Sequence, residues 1–132
     1  MILESAYKAG IKHEEFFEQY GKALFYQKKL DKALLFFEKI LQKDATNKSV
    51  LNLMGISLKD LGRFDEALKY YNLAIKLDPN DTKILYNKCV CFMKLKQFDK
   101  AKKICETILK IDSTHQKALE KLKEIEKLSK KG

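Results

Sequence analysis

The soft ligands and nucleophiles of this 132-residue chain are three cysteines, Cys89, Cys91 and Cys105, and two histidines, His13 and His115. Zinc wants four tetrahedral ligands. Cys89 and Cys91 are two residues apart, so on a helix they point about 200° apart around the axis. His13 and His115 lie near helix starts and far apart along the chain. No metal site is expected from them. An odd number of cysteines inside helical stretches points to free thiols in a reducing compartment, and so to a cytoplasmic location, rather than to a disulfide framework. Catalytic patterns are missing as well. The chain has no Gly-rich phosphate loop, no HExxH, and no Ser/His/Asp or Cys/His pair that its periodicity would bring together. Asp31, Asp65 and Asp99 recur, but at helix starts, where an acidic side chain caps the helix or favours its dipole. The expectation is a non-enzyme without a cofactor.

Charge offers a second chemistry. The net charge is +9, which attracts nucleic acid, anionic lipid or acidic protein. Arg63 is the only arginine among 27 basic residues. Specific base readout leans on the bidentate fork of Arg, so sequence-specific DNA binding is disfavoured. Lys28, Lys29, Lys94, Lys96, Lys127, Lys130 and Lys131 offer a nonspecific alternative, but Glu and Asp interleave with the lysines and dilute any continuous stripe. Nonspecific nucleic-acid binding is the alternative function, and nucleic acid is the less expected partner. No run approaches the roughly 18 apolar residues of a membrane span. Met1–Gly10 lacks the apolar core of a signal peptide. Hydrophobic residues at 45% and charged ones at 34% describe an ordered, soluble domain.

The elements that position these side chains come from a repeat. Asp44, Asp78 and Asp112 lie 34 residues apart. So do Leu30, Phe64 and Phe98; then Asp31, Asp65 and Asp99; then Ala33, Ala67 and Ala101. Each period holds two amphipathic stretches. In the second copy Leu51, Met54, Gly55, Leu58 and Leu61 share one helical face, and Ala67, Leu68, Tyr71, Ala74 and Ile75 share another. Gly62 breaks the first stretch, and Pro79 ends the second. Asn47 and Asp81 stand where the next helix begins, and both are good N-caps. Helices are expected near 14–27, 31–43, 48–61, 65–77, 82–95, 99–111 and 115–130.

The second copy resembles a tetratricopeptide repeat, on Leu51, Met54, Gly55, Leu58, Ala67, Tyr71, Ala74 and Pro79. The first copy reads Phe17, Tyr20, Gly21, Leu24, Ala33, Phe37, Ile40 and Ala45 at the same offsets. The third, the most degenerate, reads Leu85, Lys88, Cys89, Phe92, Ala101, Cys105, Ile108 and Ser113. The resemblance implies an all-α, right-handed α-solenoid of three repeats (14–47, 48–81 and 82–115) after an N-terminal segment, 1–13. Residues 116–132 supply a capping helix, since solenoids need an end with a polar outer side. Small residues allow the paired helices to cross, so Gly21 is expected to face Ala33, Gly55 to face Ala67, and Cys89 to face Ala101. Ile2–Ala9 reads as a short helix, the remnant of a preceding repeat, or added sequence.

The same resemblance implies a protein-interaction module, a scaffold or adaptor, with a concave groove lined by the first helix of each repeat. Its expected lining includes Glu18, Lys22 and Tyr26 from the first repeat; Asn52, Leu53 and Ile56 from the second; and Lys83, Tyr86, Asn87 and Val90 from the third. An apolar centre with polar groups around it suits a peptide or helix carrying a few hydrophobic anchors. Members that grip the C-terminal carboxylate of heat-shock chaperones use Lys and Asn, then Asn, then Lys and Arg. The matching positions are Glu18, Lys22, Leu53, Lys83 and Asn87, and only Lys83 fits. A carboxylate clamp is therefore not expected. The partner is a protein or peptide of open identity, and self-association through the groove, or its occupation by the seventh helix, stays open.

Overall fold

A computed structural model describes residues 14–131, with side chains from 16 to 130. The expected segment 1–13, with His13, lies outside the described residues. Within them the chain is all-α: α1 (Glu14–Tyr26), α2 (Leu30–Lys43), α3 (Lys48–Asp60), α4 (Phe64–Leu77), α5 (Thr82–Lys94), α6 (Phe98–Ile111) and α7 (Gln116–Lys131). Each helix packs on the next, and α3 also touches α5. This is a repeat solenoid. It grows by stacking because no single helix pair can bury its own apolar faces.

The recurring residues have distinct jobs. Asp44, Asp78 and Asp112 close the second helix of each repeat, with their N–H groups bonded to Ile40, Ala74 and Ile108. Their carboxylates accept backbone N–H bonds from Thr46, Asn80 and Thr114. Asn47 and Asp81 then cap the helices that follow: Asn47 accepts from the N–H of Val50, and Asp81 from those of Lys83 and Ile84. His115 does the same for α7, its Nδ1 accepting from Ala118 at 3.1 Å. Lys48 ties the next turn back to its own repeat, its Nζ lying 3.1 Å from Asp78 and 2.9 Å from Asp81. Partial burial pushes the Asp81 carboxyl up, but the Lys48 ammonium and the capping N–H groups outweigh it and hold it below its ordinary value.

Asp31, Asp65 and Asp99 depart from expectation. The residues preceding α2, α4 and α6 are Lys29, Arg63 and Gln97, and none makes a side-chain capping bond. The three aspartates sit inside the first turn. A short side chain there does not reach back over the free N–H groups, so only its charge acts on the dipole.

The turn within each repeat has one left-handed residue, again at the 34-residue spacing: Lys28 (φ 63°), Gly62 (φ 78°) and Lys96 (φ 59°). The bonds Lys29 N–H to Leu24, Arg63 N–H to Leu58 and Gln97 N–H to Phe92 close the turns, as a Schellman ending requires. Only Gly62 is free of the Cβ penalty, which is roughly 1–2 kcal/mol. Part of that gain is lost to the greater freedom of Gly in the unfolded chain. Lys96→Gly is therefore expected to stabilise the protein by about 0.5–1 kcal/mol. Urea denaturation checks this, and a lower midpoint would contradict the account of the turn.

The main core runs through the first two repeats and reaches Ile84 and Cys91. Gly21 and Gly55 are where the paired helices approach. A Cβ on Gly21 would lie 2.8 Å from Phe37 Cε1, and one on Gly55 would lie 2.7 Å from Tyr71 Cδ1. The aromatic ring one turn beyond Ala67 lies nearest Gly55, and the Phe37 ring lies nearest Gly21; in the third repeat Cys89 meets Ala101, its Sγ 3.5 Å from the Ala101 carbonyl oxygen. Ala33 and Ala67 are fully buried all the same. Tyr71 is fully buried, and its hydroxyl finds no hydrogen-bond partner.

Two smaller clusters join α5 and α6 to α7 through Ala118 and Ile125. Ala118 and Ile125 lie 34 residues after Ile84 and Cys91, so α7 docks as the first helix of a repeat does. At the positions 34 after Cys89 and Phe92 stand Lys123 and Glu126, both exposed. There α7 presents charge where a further helix would need apolar contact.

Candidate functional site

The ten expected groove residues separate into two groups. On α1, Glu18 accepts a 2.8 Å bond from Asn47 Nδ2 and lies 3.7 Å from Lys22 Nζ. Both of its oxygens are engaged within the fold. Tyr26 projects into solvent at 74% exposure, edge-on to Phe25 at 5.2 Å. Phe25 packs on the core. Leu53 and Ile56 are half-buried against the same core. Val90 is half-buried on α5.

The other group converges. An open recess of about 620 Å³ is walled by α3, α5 and α7. Asn52 and Ile56 line it from α3; Thr82, Lys83, Tyr86 and Asn87 from α5; Asp112, Thr114, His115, Gln116 and Lys117 from the last turn and α7. Five of the ten expected residues thus share one cavity, whereas Glu18, Lys22, Tyr26, Leu53 and Val90 do not line it.

Tyr86 is the centre of this recess. His115 lies against its ring at 6.3 Å between centroids. Two ammonium groups approach the same ring, Lys117 at 5.8 Å and Lys121 at 6.0 Å. These are cation–π distances. Burial lowers the pKa of Lys121, but its bond to Glu124 prevails and the net direction is up. Lys83 and Lys117 have no ion-pair partner among the described residues. The one carboxylate on the rim, Asp112, is already held by the hydroxyl and N–H of Thr114, which lower its pKa. On the opposite wall Asn87 Nδ2 donates to Asn52 Oδ1 at 3.3 Å. Each amide keeps further donor and acceptor capacity. The recess therefore combines an aromatic floor, unpaired positive charge and paired amides.

The α7 contribution was not among the expected site residues. A signal for it existed: Lys117 and Lys121 lie 34 residues after Lys83 and Asn87. Carrying the period past the third repeat places them on the groove.

A stack of helix pairs with a groove along its first helices defines a repeat scaffold. A family model for the tetratricopeptide repeat matches residues 58–125, just over half of the chain. The chain belongs to the tetratricopeptide repeat family. Among curated proteins, none matches the sequence significantly. Solved structures share the fold. The first TPR of Spaghetti (RPAP3), bound to the HSP90 peptide SRMEEVD, is 23% identical with a TM-score of 0.81, over 87% of this chain and 91% of that one. YrrB, a TPR protein with an unusual peptide-binding site, is 23% identical with a TM-score of 0.86; 92% of this chain matches 62% of that one. The second TPR domain of human RPAP3, in complex with the HSP70 peptide SGPTIEEVD, is 21% identical with a TM-score of 0.77, over 83% of this chain and 92% of that one. At these identities the likeness is one of fold.

Proposed function

We propose that the chain is a protein-interaction module whose recess between α3, α5 and α7 holds a partner's peptide carrying an acidic residue beside an aromatic or aliphatic one. The observation that carries this is the recess itself, which Tyr86 shares with Lys83 and Lys117, neither of them with an acidic partner among the described residues. An apolar side chain would lie on Tyr86 and Ile56, a carboxylate near the lysines, and the peptide backbone along Asn52 and Asn87. The solved relatives that hold acidic chaperone peptides support the class of ligand. They do not extend to their mode of grip. The carboxylate-clamp positions here include Glu18, bonded to Asn47, and Leu53, packed on the core. We therefore expect no preference for a free C-terminal carboxylate.

The test is a fluorescence-polarisation screen of acidic peptides with one apolar residue, against the wild-type chain and Lys83→Glu with Lys117→Glu. Both substitutions lie on partly exposed groove positions, and circular dichroism confirms folding. Binding should weaken at least about tenfold, a change of about 1.4 kcal/mol, and wild-type binding should fall with salt. Unchanged affinity in the folded variant sinks the assignment. A peptide that loses binding on C-terminal amidation sinks the expectation about the clamp.

A further inference from the structure

The third repeat differs from the other two at its helix crossing. The first two repeats set Gly21 under Phe37 and Gly55 under Tyr71. At the equivalent positions the third carries Cys89 and Cys105, each 34 residues further on. Two thiols replace the glycine and the ring. Their sulfurs are 3.3 Å apart, between α5 and α6. Both cysteines are free and fully buried. The pocket around them is closed by Ala101 and by Ile125 and Leu122 of α7.

We propose that Cys89 and Cys105 are a redox-active dithiol that closes to an intrachain disulfide, stapling α5 to α6, with a small-molecule disulfide of the glutathione type as oxidant. The Cys105 thiolate attacks one sulfur of the oxidant and releases its other half as a thiolate. That leaves a mixed disulfide on Cys105. Cys89 gives up its proton to the released thiolate, and its own thiolate attacks the Cys105 sulfur. The Cys89–Cys105 bond forms as the second half of the oxidant leaves as a thiolate, which takes up from solvent the equivalent of the proton that Cys105 gave up on ionising. Two electrons pass from the cysteine pair to the oxidant, and one disulfide with two thiols becomes one disulfide with two thiols.

The geometry suits this closure. The sulfurs already touch, and a disulfide needs them at about 2.05 Å. The two sulfurs are within hydrogen-bond distance and either thiol can donate; with Cys89 as donor a Cys105 thiolate is stabilised, and the positive charge of Lys121 acts in the same direction. Access comes through α7. Among the described helices it packs chiefly on α6, and an element with few packed neighbours opens at lower free energy than one held on both sides. Cys91 is a built-in control. It faces the main core instead, and burial pushes its thiol up to about 11.

The experiment incubates the reduced 132-residue chain, folded, with oxidised glutathione. It is then denatured and alkylated with N-ethylmaleimide, and its mass and peptide map are read. We expect one alkylated cysteine, Cys91, a Cys89–Cys105 cross-link, and a Tm several degrees above that of the reduced chain. The Cys89→Ser and Cys105→Ser double variant should show no redox-dependent shift of Tm. Three alkylated cysteines after oxidation would overturn the proposal. So would a stable glutathione adduct, a cross-link through Cys91, or an oxidised chain with an unchanged or lower Tm.

Discussion

Tyr71→Ala is expected to lower the stability of the protein by about 3–5 kcal/mol, as removal of a large buried aromatic does. Tyr71 heads the fully buried side chains and packs where α3 and α4 cross. Its ring lies on Gly55 because no other residue at that position leaves room for it. A loss of this size is a large fraction of the 5–15 kcal/mol typical of whole domains. Tyr71→Phe separates the ring from its hydroxyl. That hydroxyl is buried without a partner, so its removal should be neutral or slightly stabilising. Gly55→Ala completes the test by reversing sign. In the wild-type chain the new methyl overlaps the Tyr71 ring and should cost about 1–3 kcal/mol. In the Tyr71→Ala background the overlap is gone. Only the better helix propensity of Ala remains, worth about 1 kcal/mol. Guanidinium denaturation of the four proteins in this cycle measures the coupling. Additive effects would show that the ring does not rest on Gly55.

Tyr86→Ala should abolish most peptide affinity, by about 30-fold or more, the scale of an aromatic hot spot worth at least about 2 kcal/mol. Three cationic or imidazole side chains converge on this ring: Lys117, Lys121 and His115. Removing it takes away the apolar floor of the recess and the surface on which those groups are ordered. Tyr86→Phe keeps the ring and should retain binding within a few-fold of wild type. Isothermal titration with the best acidic peptide from the charge-reversal screen distinguishes the cases. Tyr86 also packs beside Leu85, Ile108 and Ala118, so a Tm must accompany each titration. A folded Tyr86→Ala variant that binds as well as wild type would move the site elsewhere on the groove.

Much of this molecule was legible in the residues alone. The 34-residue period and the three-or-four spacing of apolar side chains place every described helix boundary within one residue of its observed position. Asn47 and Asp81 were recognisable as caps, and Ala33, Ala67 and Ala101 as buried. These features are local. Helical phase, capping and turn chemistry depend on neighbours a few residues away, and the sequence lists those neighbours in order.

What the tertiary structure decided is the set of contacts between helices. Periodicity puts Gly55 and Ala67 on facing surfaces, but the offset between two helices depends on the residues consumed by the turn and on the crossing angle. That offset brings Tyr71, one turn further, over Gly55. The same offset joins Cys89 to Cys105 in the third repeat and sends Cys91 to a different core. It also gives α7 a wall of the recess, with Lys117 against Tyr86. The sequence by itself determined the helices and the faces they bury. Which side chains meet across those faces followed only from the rigid-body fit of one helix on another.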